Sequence, residues 1–122
     1  MCGIAGIFDK NNNSYDLISL MIETLNHRGP DDNGIWQNQL KTVSLGHTRL
    51  SILELSEAGS QPMISHSGRY VITFNGEIYN YKEISNKLRQ KGIILKTKTD
   101  TEVLINSYKV WGDLFLDQIE GM

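Results

Sequence analysis

The chain has 122 residues, 39% hydrophobic and 21% charged, with a formal net charge of -2. That is enough apolar material for one domain with a modest core, too little charge for a disordered segment, and no basic run to attract nucleic acid. No stretch approaches the roughly 18 apolar residues of a membrane span, no basic-then-apolar leader opens the chain, and a single cysteine makes no internal disulfide; together these favour the cytoplasm.

Residues 3–8 are apolar and partly β-branched, and read as a short buried strand. After a polar loop, Ser14 can cap a helix over about residues 15–26. Its Leu17, Met21 and Leu25 repeat every four residues, with Ile18 and Ile22 beside them, and Gly29 and Pro30 stop it. Two strands follow near 33–38 and 42–50, then an irregular loop over 54–68. Tyr70-Val-Ile-Thr-Phe74 reads as a strong strand, ended by Asn75 and Gly76, a hairpin-turn signal. Asn80 and Glu83 resemble a capping box for a helix through Gln90, with Tyr81, Ile84 and Leu88 on one face and Gly92 as its stop. Residues 93–97 are strand-like. Thr99 and Glu102 repeat the capping pattern before a last helix bearing Leu104, Tyr108 and Trp111, which Gly112 ends. There is no repeat, linker or low-complexity tract. The closing Ile119-Glu-Gly-Met122 carries no terminal element, as expected of a cut through a domain.

Cysteine is intrinsically nucleophilic and needs only modest activation. If Met1 is removed, the α-amine of Cys2 lies beside its own thiol and can accept a proton near neutral pH. The bland reading is a small hydrophobe at a strand start. Arg49 offers a planar fork for a carboxylate, or forms a surface ion pair. Asp100 can grip an ammonium group, or cap the last helix. Asn75 and Gly76 can present a side-chain amide and a backbone N–H to a developing oxyanion, or make a tight turn. A carboxylate clamp with an ammonium clamp would suit a free amino acid. Residues His27 to Asp32 read locally as a helix C-cap with dipole-favoured cations. Cys2, His27, His47 and His66 lie far apart without metal-ligand spacing, and nothing local supports a Cys2/His47 or Cys2/His27 dyad. Neither a P-loop nor a dinucleotide-binding glycine pattern is present.

Taken together, Met1-Cys-Gly-Ile-Ala-Gly-Ile-Phe8 resembles the start of class II glutamine amidotransferases, which are N-terminal-nucleophile hydrolases. His27-Arg-Gly-Pro-Asp-Asp32 with Gly34, His47-Thr-Arg-Leu-Ser-Ile52, Gln61 and Pro62, Phe74-Asn-Gly-Glu-Ile-Tyr-Asn80, Thr99-Asp-Thr-Glu-Val103 and Ile119-Glu-Gly-Met122 resemble the asparagine synthetase branch in particular. The resemblance covers essentially the whole chain, with the blocks in order. It implies an α+β fold, the four-layer αββα sandwich of two antiparallel sheets between helices. It implies that residues 1–122 form the glutaminase domain, incomplete at the C-terminus. It also implies that Cys2 attacks the amide of L-glutamine through a thioester, with Asn75 and Gly76 as the oxyanion hole. Arg49 would hold the substrate carboxylate, Asp100 and Glu77 the ammonium, and Leu50 and Ile52 would offer carbonyls and shape. Residues 27–32 would cover the site.

No Ser-Gly-Gly-x-Asp-Ser loop is present, so the synthetase domain, with its ATP and magnesium, is expected outside this chain. No cofactor or metal is expected within it. A homodimer stays open, as do another ammonia acceptor, such as a sugar in surface polysaccharide synthesis, and a fragment without turnover. Retention of Met1 would lock the amine of Cys2 in a peptide bond.

Overall fold

The computed structural model of the chain describes residues 2–11, 14–50 and 59–122. In order these form β1 (Gly3–Phe8), α1 (Ser14–Leu25), β2 (Asp32–Gln37), β3 (Val43–Arg49), β4 (Met63–Ile64), β5 (Val71–Ile72), α2 (Tyr81–Gln90) and α3 (Asp100–Trp111), with a 3-10 helix at Gly112–Asp117. The fold is mixed α and β with antiparallel pairing. The chain divides into two compact units, residues 1–63 with 72–75 and residues 64–71 with 76–122.

The first unit is an antiparallel sheet of order β1-β3-β2. β2 and β3 form a hairpin in which Asp32 pairs with Arg49 and Gln37 with Ser44. β1 joins the other edge of β3, with Gly3 opposite Thr48 and Phe8 opposite Val43. Asn38 closes the hairpin turn by accepting from the amides of Thr42 and Val43, both at 2.9 Å. Alternation along β1 buries Gly3 and Ala5 and leaves Ile4 and Phe8 exposed. Ala5, Ile18 and Ile22 make the core, with Ile7, Leu25 and Ile35 packed against it. The helix sits close because β3 offers a bare backbone: a Cβ on Gly46 would lie 2.5 Å from Ile22 Cδ1.

Of the apolar face expected on α1, Ile18 and Ile22 are buried and Leu25 packs against the core, whereas Leu17 and Met21 are exposed. Both stripes repeat every four residues, so spacing alone fits either. Ser14 is the first helical residue. Its buried hydroxyl donates to Lys41 O at 2.8 Å and accepts from Gln37 Nε2 at 2.9 Å and Ser44 Oγ at 3.0 Å, which ties the helix start to the hairpin.

The strand expected over residues 70–74 is realised only as Val71–Ile72, paired with β4. Beyond it, Thr73 Oγ1 donates to Gly46 O and Phe74 N to the side chain of Gln61, so side chains replace a ladder. The hairpin turn expected at Asn75 and Gly76 does not form. A type I′ turn needs positive φ at both central residues, and neither has it.

In the second unit, α2 packs on α3 and buries Ile84, Leu88, Val103, Leu104 and Ile105. Gly92, at φ 81, follows the end of α2. Asn80 precedes α2 but makes no side-chain cap; its amide donates to Gln118 O and its oxygen accepts from Glu120 N. Glu83 instead pairs with Lys87 at 2.8 Å. Thr99 does cap α3, accepting from Glu102 N at 3.3 Å. Residues 93–97 form no strand, because the Glu102 carboxylate takes the amides of Lys96 and Thr97, which a ladder would need. Residues 77–79 pair with 120–122: Glu77 and Met122 exchange both backbone bonds, at 2.9 and 3.0 Å, and Tyr79 N donates to Glu120 O.

Candidate active site

The register that sets Gly3 opposite Thr48 brings Cys2 beside the end of β3. Leu50 N–H points at Cys2 Sγ over 3.4 Å, and the thiol faces Leu50 O at 3.9 Å. The backbone of Leu50 therefore orients the thiol. Arg28 Nε donates to Cys2 O at 3.0 Å and so fixes the other end of the same residue. Cys2 remains half-buried.

Arg49 is 92% buried, at 8% exposure. A surface ion pair, the bland alternative, is inconsistent with that burial. Its backbone is pinned from a second side. Asp31 N donates to Arg49 O at 3.0 Å, and Gly29 comes so near that a Cβ there would lie 2.5 Å from Arg49 N. The segment over residues 27–32 thus runs along β3 next to Cys2, and its glycine makes the approach possible.

His47, two residues before Arg49, is buried, and its Nε2 has no hydrogen-bond partner among the described residues. Burial pushes its pKa below the ordinary 6.5. A hydrogen bond to the Phe74 backbone opposes this, the Arg49 charge adds to it, and Asp32 opposes it. The neutral imidazole is the form this setting favours.

Asn75 closes the same unit, half-buried, directly after the pinned Thr73 and Phe74. Gly76, Glu77 and Asp100 belong to the second unit. There Asp100 Oδ2 accepts from Ile78 N at 3.1 Å, so the carboxylate sits beside the exposed Glu77. Thr99 is the cap, so Asp100 is not needed as one. Ile52 lies outside the described residues. The sequence reading thus has Cys2, Arg49, Leu50 and Asn75 gathered in one unit, and Gly76, Glu77 and Asp100 in the other.

Sequence reasoning missed two contacts. The sequence marks Arg28 only as part of a helix end or covering segment, and its position in the 27–32 block is the one signal of the contact. Gln61 was visible only as half of a Gln-Pro pair. Among the described residues no group of three His, Cys, Asp or Glu side chains converges as a metal site would need.

A family model for the glutamine amidotransferase domain matches residues 1–122. The chain belongs to that family. Over its whole length it is 38% identical to asparagine synthetase [glutamine-hydrolyzing] 1 of Bacillus subtilis and 34% identical to asparagine synthetase B [glutamine-hydrolyzing] of Escherichia coli. It is also 38% identical to a putative asparagine synthetase [glutamine-hydrolyzing] 2 of Methanocaldococcus jannaschii. It spans 20%, 22% and 26% of these relatives, so this amidotransferase chain covers only one part of such synthetases. No helix among its described residues is long and apolar enough to cross a membrane.

Proposed function

We propose that this amidotransferase domain hydrolyses the side-chain amide of L-glutamine to glutamate and ammonia, with Cys2 as the nucleophile. Met1 is removed, and the freed α-amine of Cys2 takes the thiol proton as Sγ adds to the amide carbon. Asn75 and the Gly76 N–H hold the oxyanion that forms. Collapse breaks the C–N bond; the ammonium of Cys2 returns its proton to the leaving nitrogen, and ammonia departs from a thioester. Water then adds to the thioester carbon and gives its proton to the amine. The C–S bond breaks, the thiol is reprotonated, and glutamate leaves. Arg49 binds the substrate carboxylate as a bidentate fork, Asp100 and Glu77 hold the ammonium, and Leu50 and Ile52 offer backbone carbonyls.

The observation that carries this reading is the Leu50 amide 3.4 Å from Cys2 Sγ, immediately after a buried Arg49. Cys2 immediately precedes β1 and Arg49 ends the paired β3, which supports reading the two as parts of one site. The four-layer αββα sandwich is the architecture this reading takes. A sheet with a helix on one face and exposed Ile4 and Phe8 on the other is compatible with it. In the longer protein, ammonia would pass to a synthetase domain that activates aspartate with ATP and magnesium, in the cytoplasm and as a homodimer.

The test is a glutamine diazoketone applied to the full-length protein and read by peptide mass. One adduct on Cys2 is expected, with loss of glutaminase activity and an N-terminus lacking Met1. Cys2→Ala should take no adduct and still bind glutamine. Substantial turnover by Cys2→Ala, or full activity from a chain with verified Met1, overturns the mechanism.

A further inference from the structure

Thr73, Phe74 and Asn75 lie in no regular element, although Asn75 carries the oxyanion donor of the proposed reaction. Such a donor must sit about 2.7–3.1 Å from where the charge develops, and productive sites hold that geometry within about 0.5 Å. Something other than a strand ladder must fix this backbone. Gln61 Oε1 accepts from Phe74 N–H at 2.6 Å, one peptide before Asn75. Thr73 Oγ1 donates to Gly46 O at 3.1 Å. Gln61 is itself braced. Its carbonyl rests so closely on the Cα of Gly34 in β2 that any Cβ there would collide with it. All these residues belong to one compact unit.

We propose that Gln61 is a positioning residue for the amidotransferase reaction: its side-chain oxygen, braced against Gly34, holds the Phe74 peptide and thereby aims the Asn75 amide at the oxyanion. The inference rests on the oxyanion role given to Asn75 above. Gln61 itself touches neither substrate nor thiol. It acts on the transition state through Asn75, so its loss should lower kcat and leave the grip of Arg49 and Asp100 on glutamine intact.

The experiment compares steady-state glutaminase kinetics of full-length Gln61→Met, Gln61→Glu and Gly34→Ala, alone and combined with Asn75→Ala. Methionine keeps the length and loses the acceptor; glutamate keeps an acceptor. Gln61→Met should lower kcat about 10–100-fold, the scale of a misplacement near 1 Å, with KM within about threefold. Gln61→Glu should recover most of that loss. Gly34→Ala, which pushes on Gln61 from β2, should repeat the kcat effect and serves if the methionine variant does not fold. In the Asn75→Ala background, Gln61→Met and Gly34→Ala should each cost less than about threefold more, because the group they aim is gone. Multiplicative losses in that background, a rise in KM at constant kcat, or a glutamate variant as poor as the methionine one would overturn the proposal. Failure of the nucleophile reading shows separately, as turnover that survives Cys2→Ala.

Discussion

Replacing Gly29 with alanine asks how tightly the segment over residues 29–31 is locked to Arg49. The new Cβ would stand 2.5 Å from Arg49 N, 2.5 Å from Thr48 C and 2.6 Å from Thr48 O, all backbone atoms. To reach the 3.4 Å of ordinary contact from 2.5 Å, one side must retreat by about 0.9 Å. β3 resists, because Thr48 is paired with both Gly3 and Asn33 and Arg49 with Asp32. Gly29 does not have positive φ, so the penalty is steric and not conformational. Overpacking of this kind costs about 1–3 kcal/mol, which for a chain of this size lowers Tm by roughly 4–12 °C. A shift near 1 Å in the backbone that carries Arg49 should also reduce kcat/KM for glutamine about 10–100-fold. Gly6→Ala is the control, since its Cβ would meet only the flexible tip of Leu45, at 3.3 Å. Thermal melts and glutamate release should separate the two variants. If Gly29→Ala matches Gly6→Ala in both, the close approach is not rigid and the reasoning fails.

Arg49→Lys keeps the charge and loses the fork; glutamine binding should weaken by about 2–5 kcal/mol, and an unchanged KM would remove Arg49 from the pocket. Asn75→Ala should lower kcat about 10²–10³-fold; a large fall in Tm with near-normal kcat would make it a structural residue instead. His47 has its pKa lowered by burial, so the unfolded chain takes up a proton below about pH 6.5 that the folded chain refuses. Its contribution is therefore full above that pH and declines as pH falls toward the folded pKa. The Tm difference between wild type and His47→Gln should move in the variant's favour between pH 7.5 and 5.5, and a constant difference would refute this.

The sequence made long periodic elements readable. β1 and the three helices fall within a residue or two of their expected bounds, because each has an apolar stripe and an end signal. What failed was whatever depends on a distant partner. The choice between Leu17 with Met21 and Ile18 with Ile22 was made by Gly46, which accepts a β-branched side chain at close range. Asn80 lost its capping role to Gln118 and Glu120, some 40 positions away. At the site, composition and spacing could name Cys2 and Arg49 as candidates but not join them; the β1–β3 register does that. For Asn75 and Asp100 the residues alone leave a functional and a structural reading open, and the resemblance chooses between them; for Glu77 it is the sole source of a role. Nothing in the sequence marks Gln61 for a role of its own, because its bond to Phe74 exists only once the chain has folded back.

The pairing of β1 with β3 also sets an order of assembly. Hairpin partners lie close in the chain, from Gln37 with Ser44 to Asp32 with Arg49. β1 must reach from Phe8 to Val43 and from Gly3 to Thr48. Loop closure grows costlier with span, and non-local pairing is slow, so the hairpin should form first and β1 should dock onto it. Pulse-labelled hydrogen exchange would then protect β2–β3 amides before those of β1; simultaneous protection would refute the order. A ribosome adds roughly 5–20 residues per second, so the partner strand follows Cys2 by about 2–9 s. During that interval Cys2 is not yet held against β3, so the removal of Met1 proposed above would meet no resistance from the sheet.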